Sequence, residues 1–254
     1  MKPVITYINE KLKIKKSNKP SYNYFPKTKE ELIGILIKLI KERGNEGDFN
    51  DIDTSEITDM SNLFHNMKNF NGNISKWDVS NVTIMNNMFT YCEVFNQDLS
   101  NWDVSNVNKM AWMFAFCKSF NRDISNWNVS NVTNMSAMFG ECKSFNQDIS
   151  NWNVSKVKNM SNMFYWCESF NQPLNDWNVS NVTDMNCMFY KCKLFNQPLN
   201  NWNTSNVTDM IQMFYWCESF DQDISKWDVD KVKCNDNIFN DCQIQKKYKP
   251  KFNI

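Results

Sequence analysis

Trp77, Trp102, Trp127, Trp152, Trp177, Trp202 and Trp227 are each 25 positions apart, with no insertion between any two of them. So strict a period constrains the fold more than any other feature of the chain. A 25-residue unit is too short to bury its own apolar face, so neighbouring units must stack, and stability becomes a sum of unit and nearest-neighbour contributions. The expected fold class is an α/β repeat, a solenoid of about seven to eight 25-residue coils.

One unit shows how a coil would be built. In Ile149 to Val157, "ISNWNVSKV", apolar residues fall at Ile149, Trp152, Val154 and Val157, which is the spacing of a leucine-rich repeat. It predicts a short parallel strand in which Trp152 and Val154 face inward and Asn153 outward. Met160, Met163, Phe164 and Cys167 follow at i, i+3, i+4 and i+7, which predicts a short helical turn with one apolar face. Phe170 closes the coil, and "NQP" or "NQD" turns the chain toward the next strand.

The same columns recur along the chain: Met85 to Met210, Phe89 to Phe214 and Cys92 to Cys242, each in steps of 25. Met and aromatic columns at such spacing read as core, with no cofactor. A line of thiols cannot make a tetrahedral zinc site, the chain has no C-x-x-C, and its only histidine is His65. The nine cysteines are an odd number, so reduced structural cysteine is the expectation.

The ends are read as covers for the stack. Thr28 with Glu31 makes a capping box, Leu32, Ile35, Leu36, Leu39 and Ile40 make an apolar stripe, and Gly44 supplies the stop, so a capping helix is predicted over residues 28–44. The expected organisation is an N-terminal flank at 1–48, repeats at 49–242 and a basic tail at 243–254. The first twenty residues, with "VITYI" and "KLKIK" either side of "NE", suggest a β-hairpin. Residues 1–50 carry a charge of +5 and residues 243–254 carry +4; the chain is neutral overall, so −9 falls on the middle. An acidic body argues against a nucleic-acid groove. The longest apolar run, "LIGILIKLI", is about half a bilayer span, so no membrane crossing is expected.

Units such as "FNQDLSNWDVSNVNKMAWMFAFC" resemble the BspA-type leucine-rich repeat surface proteins, in the 25-residue Met- and Trp-rich branch of mycoplasma repeat proteins of unknown function. The likeness spans roughly Phe49 to Cys242. It implies a leucine-rich-repeat-like solenoid and, for members on bacterial surfaces, adhesion or host-protein binding. Surface members carry export signals, and "MKPVITYINEKLKIKKSNKP" has no apolar core of a signal peptide. A cytoplasmic or intracellular place is therefore the expectation, with the cell surface or secretion as the alternative that the likeness implies.

No catalytic constellation is visible: there is one histidine, no Gly-rich phosphate loop and no nucleophile–base pair. The Asn/Asp columns match neither an EF-hand nor a Gly-rich calcium loop. The expected function is a non-catalytic scaffold that binds another protein, with a structural, self-assembling coat as the alternative. The candidate binding residues are Tyr165, Trp166, Tyr190, Tyr215 and Trp216, which lie where the repeats differ among themselves, as Thr90–Tyr91, Ala115–Phe116 and Gly140–Glu141 also do. The alternative surface is the strand face, with Asp103, Asn128, Asn153, Asn178 and Asn203; a ladder of such amides would also stabilise a stack by bonding to itself.

Overall fold

The computed structural model describes residues 21–252, so the hairpin suggested for residues 1–20 lies outside the described residues. Helix α1 spans Lys29–Arg43. The Thr28 side chain accepts a hydrogen bond from the Glu31 N–H, Glu30 and Glu31 sit in the first turn, and Lys41 and Arg43 sit in the last, all matched to the helix dipole. Gly44 ends the helix at φ 76°, a left-handed conformation that glycine adopts without steric penalty. Leu32, Leu36 and Leu39 are buried, and Ile35 and Ile40 are half-buried against the same core. Lys29 at the start of α1 donates to Ser61 Oγ, while Ile37, Ile40 and Lys41 near its end border a groove with Met67, Lys68 and Asn69. The helix thus runs along the first repeat unit.

Beyond α1 the chain is a succession of 25-residue units joined in parallel. Bridges link Asp59 to Ile84, and then Lys109, Asn134, Asn159, Asp184, Asp209 and Cys234, one per unit. All nine apolar positions of the unit at 149–170 are buried, with Trp152 the most exposed at 3%. Phenylalanine rings stack from unit to unit, Phe139 on Phe164 at 5.9 Å and Phe164 on Phe189 at 5.7 Å, and Phe164 stacks on Phe170 within its own unit at 4.1 Å. Offset stacking of this kind adds about 0.5–1.5 kcal/mol per pair to the burial itself.

The local elements differ from the sequence expectation. Ile149 to Val157 is not a strand: Trp152 N–H donates to Ile149 O and Val157 N–H to Val154 O, which makes two tight turns. Met160 to Cys167 is not a helical turn either. Asn162 and Trp166 have φ of 58°, and the equivalent pair is left-handed in every unit from Asn62 and Asn66 to Asn237 and Asp241. Alternate N–H groups in this segment follow two rules. Met160, Asn162, Phe164 and Trp166 donate to the carbonyls of Asp184, Asn186, Met188 and Tyr190 in the next unit, whereas Met163, Tyr165 and Cys167 close turns within their own. An eight-residue helix would gain too few internal bonds to repay its nucleation. Turning the backbone every second residue instead lets half of the donors reach a neighbour, so no buried N–H is left unpaired.

Side chains add a second set of bonds between units. Each indole of the column from Trp77 to Trp227 reaches back, as Trp152 Nε1 does to Ile124 O at 3.1 Å. Each column thiol does likewise, Cys167 Sγ donating to Phe139 O at 2.9 Å. Asn146 N–H donates to Asn121 Oδ1 and Gln147 Nε2 to Asn121 O. These bonds explain why polar residues recur as strictly as apolar ones: each satisfies a backbone group of the unit beside it.

Part of the basic C-terminal segment is held against the repeats. Ile224 N–H donates to Tyr248 O, Gln245 N–H to Asp221 Oδ1, and Ile244 is buried, so residues 244–248 lie over part of the last unit.

The cysteine column makes a measurable prediction. Cys117, Cys142, Cys167 and Cys217 are buried, and burial pushes each thiol well above its ordinary range; Cys92 is pushed up to about 12 for the same reason. Cys234 alone among the described cysteines is exposed. A disulfide-exchange reagent at pH 8 is therefore expected to label about one thiol of the folded protein quickly, and all nine after denaturation. Rapid labelling of several thiols in the folded chain would show that the column is open to solvent.

Candidate interaction face

The tandem turns bring the positions equivalent to 165 and 166 toward the surface; Thr90, Ala115 and Gly140 there are buried, whereas the larger Tyr165, Tyr190 and Tyr215 are half-buried. Both positions lie between the buried Phe164 and Cys167. Tyr165, Tyr190 and Tyr215 accordingly stack in one column, with ring centroids 4.8 and 5.1 Å apart. Beside it runs a second column, Trp166, Lys191 and Trp216. The Lys191 ammonium sits 4.0 Å from the ring centroid of Trp166 and 4.0 Å from that of Trp216, a cation held between two indole faces. Trp166 Nε1 donates to Glu168, and Trp216 Nε1 donates to Asp241. All five predicted binding residues are therefore brought together into one ridge. Tyr165, Trp166, Tyr190 and Tyr215 are half-buried, and Trp216 is exposed.

Charged residues border this ridge in a column of two Lys–Glu–Lys sets. Glu93 pairs with Lys68 and Lys118, and Glu168 with Lys143 and Lys193. Such exposed pairs contribute at most about 1 kcal/mol each. Lys143 also lies 5.2 Å from the ring centroid of Trp166. Toward the N-terminus the same face carries further aromatics that sequence reasoning left out of the site. Tyr91 stacks on Phe116 at 4.3 Å, and Trp112 is 42% exposed. Their residue types were visible in the sequence, but Trp112 occupies a column that reads as polar in most units.

Asp103, Asn128, Asn153, Asn178 and Asn203 are exposed and aligned, yet they do not bond to one another. Each Oδ1 accepts from the N–H two residues ahead, as Asn153 does from Ser155 at 3.1 Å, and so closes a local turn. The amide ladder lies three residues on instead: Asn106 Nδ2 donates to Ser80 O and Asn131 Nδ2 to Ser105 O, and Lys156 reaches Asn131 where the column lacks an amide. With one side-chain oxygen of each residue engaged in its own turn, the row still presents the Nδ2 groups of its asparagines as donors and the second carboxylate oxygen of Asp103 as an acceptor.

No cluster of three or more potential metal ligands occurs among the described residues, and no described helix is long and apolar enough to cross a membrane. What the geometry defines is a repeat-containing protein with one aromatic face. The chain belongs to the family described as "Mycoplasma protein of unknown function, DUF285", whose model matches residues 37–151, 100–193 and 134–252. Neither a curated protein nor a solved structure matches it.

Proposed function

We propose that residues 49–242 form a leucine-rich-repeat-like solenoid that acts as a non-catalytic scaffold and binds another protein through the ridge of Tyr165, Trp166, Tyr190, Tyr215 and Trp216. One observation carries this reading. Trp166 and Trp216 have φ of 58° and 56°, and Tyr91, Trp112 and Phe116 are likewise left-handed. A side chain with a Cβ pays roughly 1–2 kcal/mol there, and asparagine pays least. The chain uses asparagine at Asn62, Asn66, Asn87, Asn162 and Asn237 in the same columns. The bulky rings at Tyr91, Trp112, Phe116, Trp166 and Trp216 run against local conformational preference, and strained positions of this kind cluster where a surface has work to do. Aromatic anchors are also the residues that dominate protein interfaces. The likeness to BspA-type surface proteins favours adhesion or a host protein as the partner.

The alternative, end-to-end assembly, draws on a different feature. The N–H groups of Asn235, Asn237, Phe239 and Asp241, which would continue the ladder, have no partner among the described residues, whereas α1 lies along the first unit.

The test exploits the backbone. Replacing Trp166 and Trp216 by Asn removes both rings and relieves their left-handed strain, so the melting temperature is expected to stay level or rise. Capture of the partner that the wild-type chain recovers from its native source is expected to fall by about 30-fold or more per ring, as loss of about 2 kcal/mol each requires. Undiminished capture by the folded variant would remove the ridge from the interface. Sedimentation over a range of concentrations separates the readings, since growth with concentration supports assembly and a constant monomer supports binding.

A further inference from the structure

Asparagine stands in a serine column of the repeat three times, at Asn50, Asn175 and Asn200, and each of the three lines a cavity. The cavity at Asn200 is the largest of them, about 430 Å³, and opens between the units of Trp202 and Trp227. The cavity at Asn175, of about 310 Å³, shares Asn201 with it and reaches Asn178 and Asn203. Together they form a groove across three units, roughly 10 Å long at the usual distance between paired chain segments. Pro198, Asn200, Asn201, Asp223 and Lys226 along it are exposed, so the groove is open to solvent.

Its walls depart from the repeat in a second way. Asp98, Asp123, Asp148 and Asp223 each accept, through Oδ1, the N–H two residues ahead. Pro198 occupies that column before Asn200, and a proline side chain accepts nothing. The N–H of Asn200 therefore has no acceptor among the described residues, and the same exchange at Pro173 leaves the N–H of Asn175 without one. Where other units supply a carboxylate oxygen, this one has an open cavity.

The groove carries unpaired groups of both kinds. Its donors are the Asn200 N–H, Asn201 Nδ2 and the Lys226 ammonium; Asn201 Oδ1 is taken by Asn200 Nδ2. Its acceptors are the second carboxylate oxygen of Asp223 and Gln222 Oε1, the Nε2 of that glutamine being bonded to Asn196. An anion would satisfy only the donors and would meet the charge of Asp223. An ammonium would satisfy only the acceptors and would meet Lys226. A hydroxyl both donates and accepts, and adjacent hydroxyls on one ring serve both sets at once.

We infer that the groove from Asn178 to Lys226 binds a neutral saccharide, with adjacent hydroxyls of one ring between Asn200 and Asp223 and a second ring toward Asn203. This goes beyond the scaffold reading and shares no residue with the aromatic ridge. The test titrates the full chain with cellobiose, maltose, lactose and chitobiose, and with acetate and methylammonium as single-charge controls, followed by saturation-transfer NMR. One or more of the disaccharides is expected to bind with a Kd of about 1 mM or below, as a few net hydrogen bonds allow. Pro198→Asp together with Asn200→Ser rewrites the wall to the residues of the other units. Its circular dichroism and melting are expected to match the parent, its affinity to fall by about tenfold or more, and its capture of a partner through Trp166 and Trp216 to be unchanged. Should that variant fail to fold, Asn201→Ala, at the junction of the two cavities, decides alone. Binding of none of the four disaccharides, binding of acetate or methylammonium as tight as theirs, or affinity undiminished in the folded variant overturns the proposal.

Discussion

Replacing Trp152 by Ala is expected to lower stability by about 3–5 kcal/mol, the range for truncating a buried aromatic. The side chain is 3% exposed, its indole stacks on Trp127 with centroids 6.4 Å apart, and its N–H holds the carbonyl of Ile124 in the preceding unit. Loss of that bond strands a buried carbonyl as well as leaving a cavity. Because each unit is stable only through its neighbours, hydrogen exchange should accelerate on both sides of the substitution and fade with distance along the repeats. A melting temperature within a degree of the parent would mean that the tryptophan column is not buried.

Leu36→Asp is the corresponding change at the end of the stack. Leu36 is 1% exposed and lies with Leu32 and Leu39 on the face of α1 that meets the core. An unpaired carboxylate there is expected to destabilise the docked helix by about 3–5 kcal/mol, the size of effect seen when a buried charge loses its partner. The consequence should be local. Exchange protection should vanish from α1 and fall in the first unit, around Phe49, Met60 and Phe64, while the units beyond Phe139 keep theirs. Uniform loss of protection across all units would show that the chain unfolds as a single block and that α1 is more than an end cover.

The candidate face was half legible before the structure. Tyr165, Trp166, Tyr190, Tyr215 and Trp216 stand at positions where the repeats vary, between an inward Phe and an inward Cys, although Thr90 and Ala115 in the same bracket are buried, so the bracketing alone does not expose a residue. Sequence did not reveal that Lys191 would lie between two indoles, because the three residues are 25 positions apart and only the register of the units makes them neighbours. Nor did it distinguish Asn153 from Asn106. Both are asparagines in a fixed column, yet one accepts from the N–H two residues ahead, while the other donates to the preceding unit.

By itself the sequence determined the 25-residue period, the nine inward columns and the start and stop of α1. All of these follow from where apolar and capping residues fall along the chain, and burial depends on side more than on backbone path. Only the tertiary structure decided what the backbone does between those points. A spacing of i, i+3, i+4 and i+7 says that Met160, Met163, Phe164 and Cys167 share a face; it is met equally by a helical turn and by tandem turns with left-handed residues at Asn162 and Trp166. The choice rests on where the N–H groups of Met160, Asn162, Phe164 and Trp166 find acceptors, and those acceptors lie in the next unit, 24 residues further on. Hydrogen bonds to a neighbour that exists only once the chain has folded are a property of the stack, and no window of one unit contains them.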